Sequence, residues 1–229
     1  MKNNAQIGLL LIFSSLALLI PYTILTVIFD YPNILRQDTA DILTQFNQGG
    51  NQLIFTWFAF ALTGIPLIPA YILIGKQFEN QSGLVRIATL LGVMGLVAQL
   101  IGLLRWTFVV PVLAQTFVST TDPAIKAAVV ISFETIHQFA GVLLGEHLGQ
   151  LFTVAWTGMI SYALAQVLLI PKSLAWFGYL SGGIYLSAQA ELLSTVIPSF
   201  PFWNMAGFIG STLWLIWLIL LGVFFLKRR

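Results

Sequence analysis

Long apolar runs separated by short polar breaks dominate the chain. Six of them, at residues 7–28, 53–74, 87–104, 152–170, 174–193 and 208–226, approach the ~20 residues that a helix needs to cross a hydrocarbon core. Backbone N–H and C=O groups have no water to bond in that layer, so each run is predicted to be a helix. The expected fold class is therefore all-α, a polytopic transmembrane helical bundle with six spans. Pro21, Pro66 and Pro69 fall inside spans, where each removes a donor and kinks its helix. The first run follows Lys2, but it exceeds the apolar region of a signal peptide and no small-x-small site follows it, so it is read as retained.

Two further segments are helical by pattern but do not alternate as spans. Residues 38–46 place Ile42, Leu43 and Phe46 on one face behind Asp38 or Asp41 as cap, and Gln48-Gly49-Gly50-Asn51 then turns the chain. Residues 124–148 are apolar enough to compete as a seventh span, with Thr120, Thr121 or Asp122 as cap and Pro123 at the first helical position. Both are expected as outer-face helices, the first resting on the interface, the second interfacial or re-entrant. The polytopic bundle is treated as one integral membrane domain over residues 1–229.

Composition strengthens the membrane reading. Hydrophobic residues make up 58% of the chain, charged residues 8%, and the mean hydropathy is +0.92, against roughly 25% charged residues in soluble domains. Without cysteine there is no disulfide framework, thiolate nucleophile or iron–sulfur site. The net charge of +2 is dispersed except at Lys227, Arg228 and Arg229, which excludes a nucleic-acid footprint and makes lipid headgroups the expected partners.

Six alternating spans put Lys2, Lys76, Arg86, Lys172 and the three terminal cations on one side. Arg36 and Lys126 lie on the other. Cations concentrate on cytoplasmic loops, so a cell-membrane location with both termini cytoplasmic is expected. A seventh crossing would scatter these cations between the two sides. Trp106 and Trp203 are assigned to the outer aromatic belt and Trp176 to the inner one.

The candidate chemistry gathers at the outer level. Arg105 and Glu191 lie nineteen residues beyond Arg86 and Lys172, and nineteen helical residues rise ~28 Å, about one bilayer core. Glu146 and His147 are expected at the same level. At 100° per residue, Glu134, His137, Gln138, Gly141, Gly145 and Gly149 share a face, and the glycine spacing makes a groove for a second helix or for a ligand. Glu134 and His137 have the E-x-x-H spacing of carboxylate-bridged di-metal bundles, but a straight helix holds His147 ~15 Å beyond His137, too far for one ion. No metal is expected, and the candidates for one are His137, Glu146 and His147. No P-loop, H-E-x-x-H, G-x-S-x-G or Rossmann pattern occurs, so no cofactor is expected. An alternative to ligand capture is that Arg105 pairs with Glu146 or Glu191 and only closes the bundle.

One resemblance adds to this. Leu103-Leu104-Arg105-Trp106, Val109-Val110-Pro111-Val112-Leu113-Ala114, His137, Gly141-Val142, Gly145-Glu146-His147-Leu148-Gly149 and Trp156 resemble a bacterial family of multi-pass membrane proteins classed as a domain of unknown function (4386). The resemblance implies a helical membrane protein of this size and no particular activity. The leading expectation is a protein that binds a small ligand, lipid headgroup or partner at a polar cluster of Arg105, Glu134, His137, Glu146, His147 and Glu191 on its extracytoplasmic side. Two alternatives are a metal-dependent enzyme using Glu134, His137, Glu146 and His147, and a small-solute transporter with a polar path to the midplane.

Overall fold

A computed structural model describes residues 2–167 and 169–228, with Lys2 described by its backbone alone. Leu168, within the expected fourth span, and Arg229 and the Lys2 side chain, counted among the cytoplasmic cations, lie outside the described residues. Among those residues there is no strand. The helices are α1 (Lys2–Phe29), α2 (Thr39–Thr63), α3 (Leu67–Phe78), α4 (Gly83–Phe108), α5 (Val110–Ser119), α6 (Pro123–Ile136), a π-helix (His137–Leu148), α7 (Gly149–Gln166), α8 (Lys172–Ser187), α9 (Gln189–Ser194) and α10 (Ala206–Lys227).

Several run end to end as rods. Among the described residues five segments are long and apolar enough to cross a membrane: Asn3–Phe29, Thr39–Phe78, Gly83–Ser119, Pro123–Gln166 and Ala206–Lys227. The rod from Pro123 has 44 residues, about twice what a bilayer core requires. Residues 124–148 are thus the first half of a rod that continues into α7, and residues 39–46 are the start of α2. Between the latter and the spanning part of α2 the backbone kinks at Gly50, where φ is +52°, a conformation that favours glycine. Asp122 is the residue that caps α6, accepting a bond from the Ala124 N–H at 2.8 Å.

The expected fifth span is shorter than its sequence pattern. α8 has 16 residues, a rise of about 24 Å, and the chain breaks at Ala188 before α9. The interval from Lys172 to Glu191 is therefore not one helix, whereas that from Arg86 to Arg105 lies within α4. Beyond the break, Gln189 and Glu191 hydrogen-bond to Gln150 and Arg36, partners that offset the interrupted helical ladder. Pro66 likewise divides the expected second span into α2 and α3, and the Thr63 hydroxyl takes up the Phe60 carbonyl at 3.0 Å.

The helices pack as a ring in the order α1, α10, α8, α7, α4, α3 with α2, and back to α1, each antiparallel to its neighbours. At one end Asn4 donates to the Arg228 carbonyl at 2.7 Å and Gln77 donates to Asn4 at 2.7 Å, which joins both termini to α3. Lys76, Arg86, Lys172 and Lys227 lie in the terminal turns of their helices at this basic end. Its core is a stack of Tyr71 on Trp156, ring centroids 3.6 Å apart, surrounded by Leu67, Ile74, Ile160, Trp217 and Leu221. A second core fills the opposite end, where Ile42, Leu43 and Phe46 turn inward onto Phe29, Trp57 and Trp106. The apolar face of residues 38–46 is spent on protein packing, not on a membrane interface. Outside the ring, large apolar side chains such as Phe13, Ile20, Val27 and Leu90 are exposed, a surface suited to acyl chains and prone to aggregate in water.

Helices in hydrocarbon gain little by hiding apolar surface from one another, so close backbone contact carries the packing. α4 and the Pro123–Gln166 rod meet through facing glycines. A Cβ on Gly102 would lie 2.7 Å from the Gly145 Cα, and one on Gly95 would lie 3.0 Å from the Gly149 carbonyl oxygen. The blocking atoms are backbone and cannot swing away. Gly158, on the same rod, has open space around it. Gly102→Ala should therefore lower stability by about 1–3 kcal/mol, while Gly158→Ala leaves it unchanged or slightly raised. Thermal unfolding of both variants in detergent checks the contrast.

Candidate functional site

A single widening of the rod builds the site. His137 and Glu146 are nine residues apart, two and a half turns of α-helix, which would set them on opposite faces. Residues His137–Leu148 instead form a π-helix, whose i→i+5 bonds give roughly 4.4 residues per turn, so nine residues make about two turns. The two side chains consequently share a face and line one cavity. π-Turns occur frequently at functional sites.

Arg105 reaches this face from α4. Its side chain is 6% exposed and fits only because position 141 is glycine, where a Cβ would come within 2.5 Å of Nη2. Nη1 donates to the Gly102 carbonyl at 2.5 Å and Nη2 lies 3.4 Å from Nδ1 of His137. The Nε hydrogen has no partner among the described residues. The guanidinium carbon sits 5.1 Å from the Trp106 ring centroid, within cation–π range. Trp106 in turn stacks on Trp57 with centroids 4.8 Å apart and planes 11° apart. It is 1% exposed and so is no part of an outer belt: rings from α1, α2 and α6 cover it. Trp203 and Trp176 are exposed.

The cavity measures about 450 Å³, within the range of small-molecule sites. Arg105, His137, Glu146 and Glu191 line it, together with Tyr22, Tyr31, Gln99 and Tyr185. Burial, with Glu146 adding to it, pushes the Tyr31 phenol well above its usual range, which keeps that hydroxyl neutral. At the mouth, Arg36 holds Glu191 through Nε at 2.9 Å and Nη2 at 2.5 Å and reaches the Asn204 carbonyl at 3.4 Å. The connection after α1 is thereby tied to α9 and to the connection before α10.

Four of the six residues singled out in the sequence thus meet in one cavity. The other two face elsewhere: Glu134 accepts from the Thr39 hydroxyl at 3.0 Å, and His147 pairs through Nδ1 with Gln189 at 2.6 Å. The expected pairing of Arg105 with Glu191 or Glu146 is replaced, since Glu191 is held by Arg36, the one ion pair among the described residues. The Glu146 carboxylate accepts no hydrogen bond from a described residue. No three His, Asp or Glu side chains among the described residues gather around a point where an ion could sit. Sequence reasoning missed Arg36, which lies in a polar connection without periodicity and finds Glu191 across 155 residues.

The ring of apolar antiparallel helices, with a charged cavity enclosed at one end, defines a polytopic α-helical membrane protein. More particularly, the chain belongs to the family described as "Domain of unknown function (DUF4386)", whose model matches residues 6–222 and so takes in every residue that lines the cavity. Neither the comparison with curated proteins nor that with solved structures gives a match.

The Arg36 and Glu191 side chains are 39% and 25% exposed, so water screens much of their attraction. A double-mutant cycle of Arg36→Ala and Glu191→Ala, read by thermal unfolding, should give a coupling of less than about 1 kcal/mol.

Proposed function

We propose that this protein binds a small polar or amphipathic ligand, of the size of a lipid headgroup, in the cavity around Arg105, and that the cavity opens on the extracytoplasmic side of a cell membrane. The observation that carries the reading is a buried guanidinium without a carboxylate partner, facing an unbonded carboxylate across enclosed space. Buried charges are ordinarily paired, and a bound molecule supplies what the protein leaves open. The orientation rests on the cations, since Lys76, Arg86, Lys172 and Lys227 crowd the opposite end of the ring and such residues favour the cytoplasm.

The competing readings have less support. Glu134 and His147 are bonded outside the cavity, which leaves the metal-dependent enzyme without its donor set. Below the cavity, Leu18, Ile68, Leu100 and Trp214 surround a second void of about 50 Å³. Apart from Gln99 that floor is apolar, whereas a transporter needs a polar path to the midplane.

Two measurements test the proposal. The chain has no cysteine, so Gln48→Cys and Gln81→Cys each introduce a single thiol, at opposite ends of the ring. In intact cells an impermeant maleimide should label Cys at 48 and spare it at 81; the reverse pattern would overturn the orientation. In a thermal-shift screen of lipid headgroups and small polar metabolites, at least one compound should stabilise wild type and lose its effect in Arg105→Ala. Unfolding temperatures that no compound moves would overturn the binding reading.

A further inference from the structure

Four charged side chains face the cavity besides His137, and they divide into two kinds. Arg36 and Glu191 neutralise each other at the mouth. Arg105 and Glu146 attract each other across a gap without touching: both line the same space, yet no ion pair within 4.0 Å joins them. An anion bound at Arg105 alone would leave Glu146 facing a second negative charge in a medium of low dielectric constant. A cation bound at Glu146 alone would do the same to Arg105. A molecule carrying both charges answers both sites without adding net charge to a buried space.

Building on the binding reading proposed above, we infer that the ligand is a zwitterion, with a phosphate or carboxylate held by Arg105 and a primary ammonium held by Glu146. The guanidinium fork suits a planar or tetrahedral oxyanion. The carboxylate accepts from an ammonium, which brings three N–H donors. Tyr22, Tyr31 and Phe60 contribute part-exposed aromatic rings to the cavity wall, to which a cationic group is attracted. The cavity is also polarised along the ring axis. Its charges lie towards the mouth, whereas Phe60, Gln99 and Leu103 are shared with the smaller apolar void beneath. That polarity suits a head group with an apolar attachment pointing into the bundle. A phosphodiester of ethanolamine has this charge pattern, with one charge of each sign, both as free glycerophosphoethanolamine and as the head of an aminophospholipid.

The test titrates delipidated protein in detergent and follows Trp fluorescence, because Trp57 and Trp106 line the cavity. Short-chain phosphatidylethanolamine is compared with phosphatidylglycerol of the same chain length, and glycerophosphoethanolamine with glycerophosphoglycerol. The zwitterion should bind about tenfold more tightly than the matched anion, the loss expected for one charged hydrogen bond. Glu146→Gln should abolish that preference while retaining anion binding. The substitution keeps the shape of the side chain and removes no existing hydrogen bond, so folding is preserved. Preference for both zwitterions supports a site that reads the head group alone, and preference only for the lipid supports one that also needs the apolar attachment. Equal affinity for zwitterion and anion in wild type, or an undiminished preference in Glu146→Gln, overturns the inference and leaves the binding reading standing. No response from any of the four compounds overturns the inference, and the screen described above decides the binding reading separately.

Discussion

Everything distinctive about the molecule depends on how closely α4 approaches the Pro123–Gln166 rod. Lipid offers no hydrophobic reward for joining two helices, so the approach must come from small residues that let backbones touch. Gly102 against Gly145 and Gly95 against Gly149 provide it. Along the same seam, position 141 has no side chain, and the Arg105 guanidinium occupies that volume. One stripe of missing side chains therefore both glues the two helices and makes room for the most deeply buried cation of the described residues.

The π-helix acts on the same seam. By changing the helical period over twelve residues it brings His137, Gly141, Gly145 and Glu146 to a common face. Glycines are needed there for contact and polar groups for the cavity, and an α-helical period could not present both. Around this face the two ends of the ring are built differently. The basic end is closed by packed aromatic and aliphatic side chains, with buried hydroxyls such as those of Ser15 and Thr157 returned to carbonyls of their own helices. The other end holds a cavity walled partly by aromatic rings, with a single exposed ion pair at its mouth.

Much of the architecture was legible in the pattern of residues. The apolar runs located the helices, Asp122 and Pro123 marked the start of α6, and the paired glycines before Asn51 marked the kink at Gly50. The glycine face on the rod was visible too, because four-residue spacing survives locally in either helix type. What escaped were features decided by tertiary contacts. Glu146 and His137 were grouped by their level along the chain, but a fixed 100° step gives no common face for them, and the π-helix that provides one was not legible. Hydropathy alone carried the fifth span to residue 193, whereas the polar partners available to Gln189 and Glu191 end α8 at Ser187. Trp106 has the composition of a belt residue, and nothing local reveals that Trp57 and Phe46 cover it. Arg36 has no local signature at all.

The cavity draws its walls from Tyr22 on α1 through to Ser211 on α10, and this ties its existence to the order of synthesis. Chains emerge from the ribosome N-terminus first, so α4 carries Arg105 into place before the rod bearing Gly141 and Glu146 exists. The mouth waits longer still, because Asn204 and Phe208 come last. A chain halted before α10 can have most of its helices and no enclosed site. Completion of the cavity is thus a record, written in geometry, that the whole ring has assembled.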